Sequence, residues 1–571
     1  MNRTFWKSLL PVFAVITLAV YCKTLTGKVP FPHEIILHFA PWAGLNHAIT
    51  NQPYASIGDL ATQMYPFRAF AARSVRSGNL PLWNPYLLSG TPFLGNSQSA
   101  VFYPPNALAY VFTLPVAWGL SLMVRTFLAG IFMVLFIGSL GGSKTAAIIG
   151  GVLFALCGFV TAWQGFPIGD AAIWLPLIFY GVIKLRQTSA RTALLITSTA
   201  FAMPVIAGHP ETAVHMTFAG VLFALALLVI PGISLVSRTE FLLRFALAGC
   251  LALGIAAIQM LPSVEWLTQI DFTPAIRWPP LDISQALGFV SRDVLRSVNS
   301  ASINIPESAS YIAMIAFVAA PLAALHSAKR YAGILFFLSL AAFMVAFGLN
   351  PAHWLAVHTP LLQSIKNGRL LLVVDFCLAG LTGLGISAVE EGAFGGKRKL
   401  AALIFTTGGF LVAFALVYAL QRHTGFRVEF LRRPSFSRGL LLMGFGLVIL
   451  RILNYMPRRA FAVTICAVAT FDAVTFAYGY TGFAPPQDIF PPAPVFEFLQ
   501  RTVQPGRFRV ADFGDVYPAN SNLMYGTPSV DGYDLPLRRL RLFTKGMRPE
   551  SQTGVSSISR RWKQMIGAWI S

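Results

Sequence analysis

The sequence predicts an all-α polytopic membrane protein with about thirteen spanning helices, a large first external loop and a small external α/β tail. Three observations carry the prediction. Of 571 residues, 55% are hydrophobic and only 11% charged, and mean hydropathy is +0.64, whereas a soluble globular domain carries about 25% charged residues. Apolar stretches of about 20 residues, enough to cross a bilayer, recur along the chain. Many of the basic residues, 43 Lys and Arg against 22 Asp and Glu, sit in short loops between those stretches. In a soluble chain the net charge of +21 would suggest nucleic acid; here it carries topology. The composition excludes disorder, collagen, coiled coil and a disulfide scaffold.

The spans fall at 6–24, 115–139, 144–163, 169–186, 191–207, 212–232, 240–262, 307–327, 330–349, 370–390, 399–420, 437–456 and 459–481. The first resembles a signal peptide, but Tyr21 precedes Cys22 and no small-x-small cleavage site follows, so it reads as an uncleaved anchor. Cys22, Cys157, Cys250, Cys377 and Cys466 lie in or beside apolar segments without a CxxC pair, which supports neither disulfides nor zinc. Threading the spans alternately gathers Arg3 and Lys7, Lys144, Lys184 with Arg186 and Arg191, Arg238, Lys329 and Arg330, Lys397 to Lys399, and Arg458 with Arg459 on one side. The positive-inside rule makes that side cytoplasmic, with the N-terminus inside and the C-terminus outside the membrane. The loop 421–438 breaks the pattern, with Arg422, Arg427, Arg432, Arg433 and Arg438 against Glu429 on the outer side.

Residues 1–482 thus form a transmembrane domain with external loops 25–114 and 263–306, and residues 483–571 an external C-terminal domain. In the tail, Pro494 opens a short helix through Gln500, since proline suits a first helical position, and 507–513 alternates as a strand does. The tail is short for a complete domain.

The first external loop is rich in Trp, Tyr and Phe interleaved with Asn and Gln, and nearly free of acids. Aromatic faces and amides suit stacking on a sugar ring and hydrogen-bonding its hydroxyls. The same composition also fits an interfacial aromatic belt. Its elements are Asp59/Gln63/Pro66, then Gly78/Pro81/Trp83/Asn84/Pro85, then Gln98/Phe102/Tyr103/Pro104/Pro105/Asn106. Further along come Trp174-Leu175-Pro176, Gly208-His209-Pro210-Glu211-Thr212, Gln259/Pro262/Glu265, Asn367-Gly368-Arg369 and Gly532-Tyr533-Asp534. In this collinear order, from about residue 55 to about residue 540, they resemble the signature of the bacterial YfhO-like membrane proteins.

That family resembles the GT-C glycosyltransferases, multi-spanning enzymes that take a sugar from a polyprenyl-phosphate carrier on the external face. The resemblance implies that a first-loop acid serves as general base or orients the acceptor and any metal; Asp59 is the matching position, and Glu34, just after the first span, is the alternative. Independently, an acceptor hydroxyl is a weak nucleophile until a carboxylate takes its proton. Asp59 also fits the N-cap of a helix beginning at Leu60. The implied substrate-binding set is Gln63, Trp83, Asn84, Gln98, Tyr103, His209, Glu211, Glu265 and Arg369. Arg369 suits the charge on a leaving lipid phosphate, or else snorkels at the interface. Among ionisable residues within spans, Arg125 is expected to pair with Asp375 or Asp472, and His215 is a fourth.

The sequence holds no P-loop and no external DxD pair. Asp59 with Glu34 or Glu211 suits a divalent cation, Mg or Mn, although no residue is assigned as a dedicated metal ligand. The expectation is a membrane glycosyltransferase acting on a polyprenyl-phosphate sugar, with a cell-envelope glycan, lipid or protein as acceptor, membrane lipids as partners and no nucleic acid. A lipid or polysaccharide transporter or flippase, and a non-catalytic partner in envelope assembly, are the alternatives; repeated halves, which would favour transport, are not evident.

Overall fold

The computed structural model describes residues 3–32, 36, 40–43, 58–229, 236–270, 278–290, 292, 306–392, 394–424, 436–503, 506–512 and 517–544. The chain is a helical bundle, and each of the predicted spans overlaps a helix. In chain order these are α1 (Arg3–Val20), α2 (Leu114–Ser139), α3 (Lys144–Ala155) with α4 (Gly158–Ala162), α5 (Pro167–Ala172) with α6 (Leu175–Gln187), and α7 (Arg191–Ile206). They continue with α8 (Pro210–Val229), α9 (Arg238–Gln269), α10 (Ile315–Ala319), α11 (Lys329–Ala346), α12 (Leu371–Glu391), α13 (Gly396–Thr424), α14 (Phe436–Ile452) and α15 (Arg458–Tyr480). Among the described residues, eight helical segments are long and apolar enough to cross a membrane. The others are short or broken, and the breaks have identifiable causes.

The stretch 144–163 divides at Leu156 and Cys157, where the Gly158 amide leaves the helical ladder to donate to the Tyr311 carbonyl at 2.7 Å. Helix α4 therefore starts afresh inside the bundle, and its orphan amides need acceptors. Asp375 on α12 supplies one, its Oδ2 accepting from the Phe159 amide at 3.3 Å. At the other end Arg125 on α2 donates to the carbonyls of Trp163, at 3.0 Å, and Val160, at 3.4 Å. An acid at the N-terminus and a cation at the C-terminus both match the helix dipole. The stretch 307–327 is helical only from Ile315, and Asp472 on α15 accepts from the Met314 amide at 2.9 Å and the Tyr311 hydroxyl at 2.7 Å. Arg292 lies 3.7 Å from Asp472. The expected pairing of Arg125 with Asp375 or Asp472 is thus replaced: each charge serves the end of a broken helix.

Helix α12 is the bundle's axis, buried along nearly its whole length. Its small residues let backbones approach closely, as helices packed without a hydrophobic drive between them require. A Cβ on Gly383 would fall 2.9 Å from Ile137 and 3.0 Å from the Ala146 carbonyl, and one on Gly385 would overlap the Ala319 carbonyl. Gly385→Ala is expected to destabilise the protein by about 1–3 kcal/mol, the usual cost of overpacking. Gly446→Ala, where nothing lies within 4 Å, should be neutral or slightly favourable. Thermal unfolding of the two variants in detergent checks the contrast.

Outside the bundle, the first loop folds around a helix Tyr65–Arg76 and a two-residue hairpin, Trp83–Asn84 against Thr91–Pro92. Gly90 is required there: its φ is +110° and the Trp83 indole packs against its Cα. The tail has the helix Pro494–Thr502, while 506–512 runs without regular structure and makes a single bridge, Val510 to Ser529. The tail lies on the first loop. The Ser529 amide and the Asn522 side chain both donate to the Tyr86 carbonyl, at 3.0 and 2.8 Å, and Arg73 donates to the Met524 carbonyl at 3.0 Å.

Candidate functional site

A cavity of about 350 Å³ opens where the first loop, the breaks in the bundle and the segment 366–369 meet. It falls within the range of about 300–1,000 Å³ typical of small-molecule sites. Gly58, Asp59, Met64 and Gln98 line it from the first loop, and His209 and Glu211 from the start of α8. Trp163, Phe166, Pro167 and Ile168 line it from the turn between α4 and α5, and Trp278, Pro306, Glu307, Lys366 and Arg369 complete it.

The charges are organised around Arg369. Its Nε and Nη2 donate to the two oxygens of Glu307, at 3.2 and 2.9 Å, a fork-to-fork pair with good geometry. Its Nη1 donates to Glu211 Oε2 at 2.6 Å and lies 3.3 Å from His209 Nε2. Lys366 Nζ bonds the same Glu307 oxygen at 3.0 Å. Indoles face both cations, Trp163 at 5.6 Å from the guanidinium and Trp278 at 4.9 Å from the ammonium. Arg369 sits in a short 3-10 turn, Asn367–Leu370, held by the Asn367 side chain, which donates to the Leu362 carbonyl at 2.8 Å and meets His215 Nε2 at 3.1 Å. These contacts replace the snorkelling alternative for Arg369 with an anchored, largely buried guanidinium.

His209 has its Nδ1 on the Thr212 amide at 3.2 Å and on the Thr212 hydroxyl at 2.9 Å, so it caps α8. Burial, then Arg369 and His215, push its imidazole well below the usual range, and it stays neutral.

Asp59 precedes a π-helical turn, Leu60–Met64, with no side-chain cap bond, so the capping alternative has no hydrogen bond behind it. The Tyr533 phenol of the tail stands beside it. Burial raises the Asp59 carboxyl, and the phenol opposes part of that rise. The phenol is pushed up to about 12 by burial and by Asp59. Gln98 Oε1 is buried with no hydrogen-bond partner among the described residues, an acceptor free for a hydroxyl brought by a ligand.

Next to Tyr533, Asp534 accepts from the Asn96 side chain at 2.9 and 3.0 Å. Burial pushes its carboxyl up to about 6, against the bonds from Asn96 and the Leu535 amide that hold it down. A raised folded-state value means that ionising the buried Asp534 penalises the docked tail: its stability is full below the ordinary 3.8 and is lost as pH rises through about 6, although the Asn96 bonds offset part of that loss. Hydrogen exchange over 517–544, corrected for intrinsic rates, should therefore show protection falling between about pH 4 and about pH 6, and Asp534→Asn should flatten the dependence.

The other expected residues lie elsewhere. Tyr103 is fully buried, its hydroxyl donating to the Asp170 carbonyl at 3.1 Å and accepting from the Trp174 indole at 3.2 Å. Trp83 is 44% exposed on the hairpin, and Asn84 is buried with its Oδ1 on the Tyr86 amide at 3.0 Å. Gln63 is buried within the π turn. Glu265 is exposed on α9, which runs to Gln269 and so past the expected loop boundary. Glu34 and the arginines of 425–435 lie outside the described residues. Glu307, Lys366, Trp163, Trp278 and Tyr533 enter the site without having been assigned to it from sequence. As to a divalent ion, Glu211 and Glu307 are already matched by Arg369 and Lys366. No group of three or more His, Cys, Asp or Glu suited to a metal occurs among the described residues.

Fold and cavity together define a polytopic helical membrane protein with a charged, aromatic-lined pocket beside its first loop. The chain belongs to the family of the bacterial membrane protein YfhO, whose model matches residues 34–488. No curated protein matches it in sequence. Among solved structures it is similar to ArnT from Cupriavidus metallidurans bound to undecaprenyl phosphate, at 12% identity and TM-score 0.42, over 92% of this chain and 86% of that one. It is similar to the oligosaccharyltransferase AglB from Archaeoglobus fulgidus in complex with an inhibitory peptide and a dolichol-phosphate, at 11% identity and TM-score 0.43, over 93% and 65%. It is also similar to the arabinofuranosyltransferase AftD from Mycobacteria, at 16% identity and TM-score 0.41, over 74% of this chain but only 27% of AftD's length.

Proposed function

We propose that the protein is a membrane glycosyltransferase that moves a sugar from a polyprenyl-phosphate donor to an acceptor hydroxyl on the external face of a bacterial membrane. The observation that carries this reading is one cavity that unites a partly desolvated carboxylate, Asp59, with an anchored Arg369–Lys366 cation pair, two indole faces and the unpaired Gln98 acceptor. Asp59 takes the proton of the acceptor hydroxyl; the acceptor oxygen bonds to the anomeric carbon; the bond from that carbon to the phosphate oxygen breaks. The electron pair stays on the phosphate, where Arg369 and Lys366 meet the developing charge. A raised carboxyl pKa makes Asp59 a stronger base than a solvated aspartate. Trp163, Trp278 and Gln98 suit the sugar's faces and hydroxyls.

The test is release of free polyprenyl phosphate by the purified protein in lipid, from a panel of radiolabelled polyprenyl-phosphate sugars. Consumption of at least one donor supports the reading. Binding without consumption of any donor would favour transport or a non-catalytic role.

A further inference from the structure

The cavity is occupied by its own charges. Three carboxylates, Asp59, Glu211 and Glu307, face two cations, Lys366 and Arg369, while His209 is neutral. A phosphate entering this arrangement meets no net positive charge, and each nitrogen of Arg369 already faces a partner: Glu307 holds two of them and Glu211 the third. An anion gains the full pull of Arg369 by taking the place of a carboxylate.

The two carboxylates are not equivalent. Glu307 is 6% exposed, binds Arg369 through both oxygens and also holds Lys366, so removing it would strand two cations. Glu211 is 31% exposed and gives Arg369 a single oxygen. It also stands in the first turn of α8, a helix of 20 residues whose N-terminus stabilises a carboxylate released from its ion pair.

We infer that Glu211 is a built-in competitor of phosphate: a phosphate monoester binds by displacing the Glu211 carboxylate from Arg369 Nη1, and the carboxylate's return expels the phosphate product. This rests on the reading of the cavity as a lipid-phosphate site. Glu307 then anchors the cations, and Glu211 sets how tightly the anion is held.

The experiment measures binding to the full-length protein in nanodiscs of neutral lipid, followed through tryptophan fluorescence, since Trp163 and Trp278 face the cations. The probes are undecaprenyl phosphate, undecaprenol and inorganic phosphate. Glu211→Gln keeps the shape and removes the charge, and should bind undecaprenyl phosphate about two- to five-fold more tightly, the effect of relieving one partly exposed charge pair. Glu497→Gln removes the same charge from an exposed site on the tail helix, outside the cavity, and should leave affinity unchanged. Tightening with undecaprenyl phosphate alone assigns the exchange to a lipid headgroup, and tightening with inorganic phosphate as well extends it to the free ion; both support the inference. Unchanged or weaker binding by Glu211→Gln, with the wild type still preferring undecaprenyl phosphate over undecaprenol, would overturn the inference and leave the phosphate site standing. If neither protein distinguishes undecaprenyl phosphate from undecaprenol, the phosphate reading fails and the inference with it.

Discussion

Asp59→Asn is expected to slow release of polyprenyl phosphate by about 10²–10⁴-fold, the range a positioned general base contributes, while leaving donor binding intact. The amide matches the carboxylate in shape and still faces the Tyr533 phenol, so the loop and the tail contact should survive. A helix cap would behave differently, with about 1 kcal/mol of stability lost and turnover kept. The wild-type rate should rise with pH through the Asp59 pKa, because the base works deprotonated, and burial places that limb above the ordinary aspartate range. Residual turnover in the variant should lack the limb. Initial rates across pH, with melting temperatures of both proteins, separate the two roles.

Arg369→Gln should cost more than catalysis. Losing a fixed donor to the leaving phosphate predicts a fall in rate of about 10²–10³-fold. The same change leaves buried Glu307 with Lys366 alone and Glu211 with no cation, a loss of about 3 kcal/mol by the standard of a broken buried pair. Arg369→Lys restores a charge but not the fork that spans both Glu307 oxygens, so stability should recover in part and phosphate affinity should remain low. Thermal unfolding together with undecaprenyl phosphate binding checks both halves.

The bundle was readable because hydropathy alone marks about 20-residue apolar runs, whereas their interruptions depend on partners remote in sequence. Nothing near Cys157 announces that the Gly158 amide will bond Tyr311, or that Asp375 will serve Phe159. Cavity residues were legible where a polar group stands out against apolar sequence, as Asp59, His209, Glu211 and Arg369 do. Glu307 had a comparable signal, an acid beside Pro306 at the start of a span, but only the structure gives it two cations to hold. Lys366 and Trp278 belong to no motif singled out in the sequence and join the cavity only through the fold. Tyr103, from the same element as Gln98, and Asn84, from the element before it, face the interior, because a motif's polar atoms are spent on backbone partners as readily as on a ligand.

The Tyr533 contact also sets a timetable. A chain is synthesised from its N-terminus at about 5–20 residues per second, so Asp59 emerges hundreds of residues before the phenol that will face it. Throughout insertion of the bundle the carboxylate lacks that neighbour, and the helices can settle before the pocket is complete. On the proposed reading, competence for chemistry therefore arrives late in biosynthesis, when Gly532-Tyr533-Asp534 closes on the first loop. Unfinished chains stalled in the membrane would carry the pocket without the neighbour that tunes its proposed base.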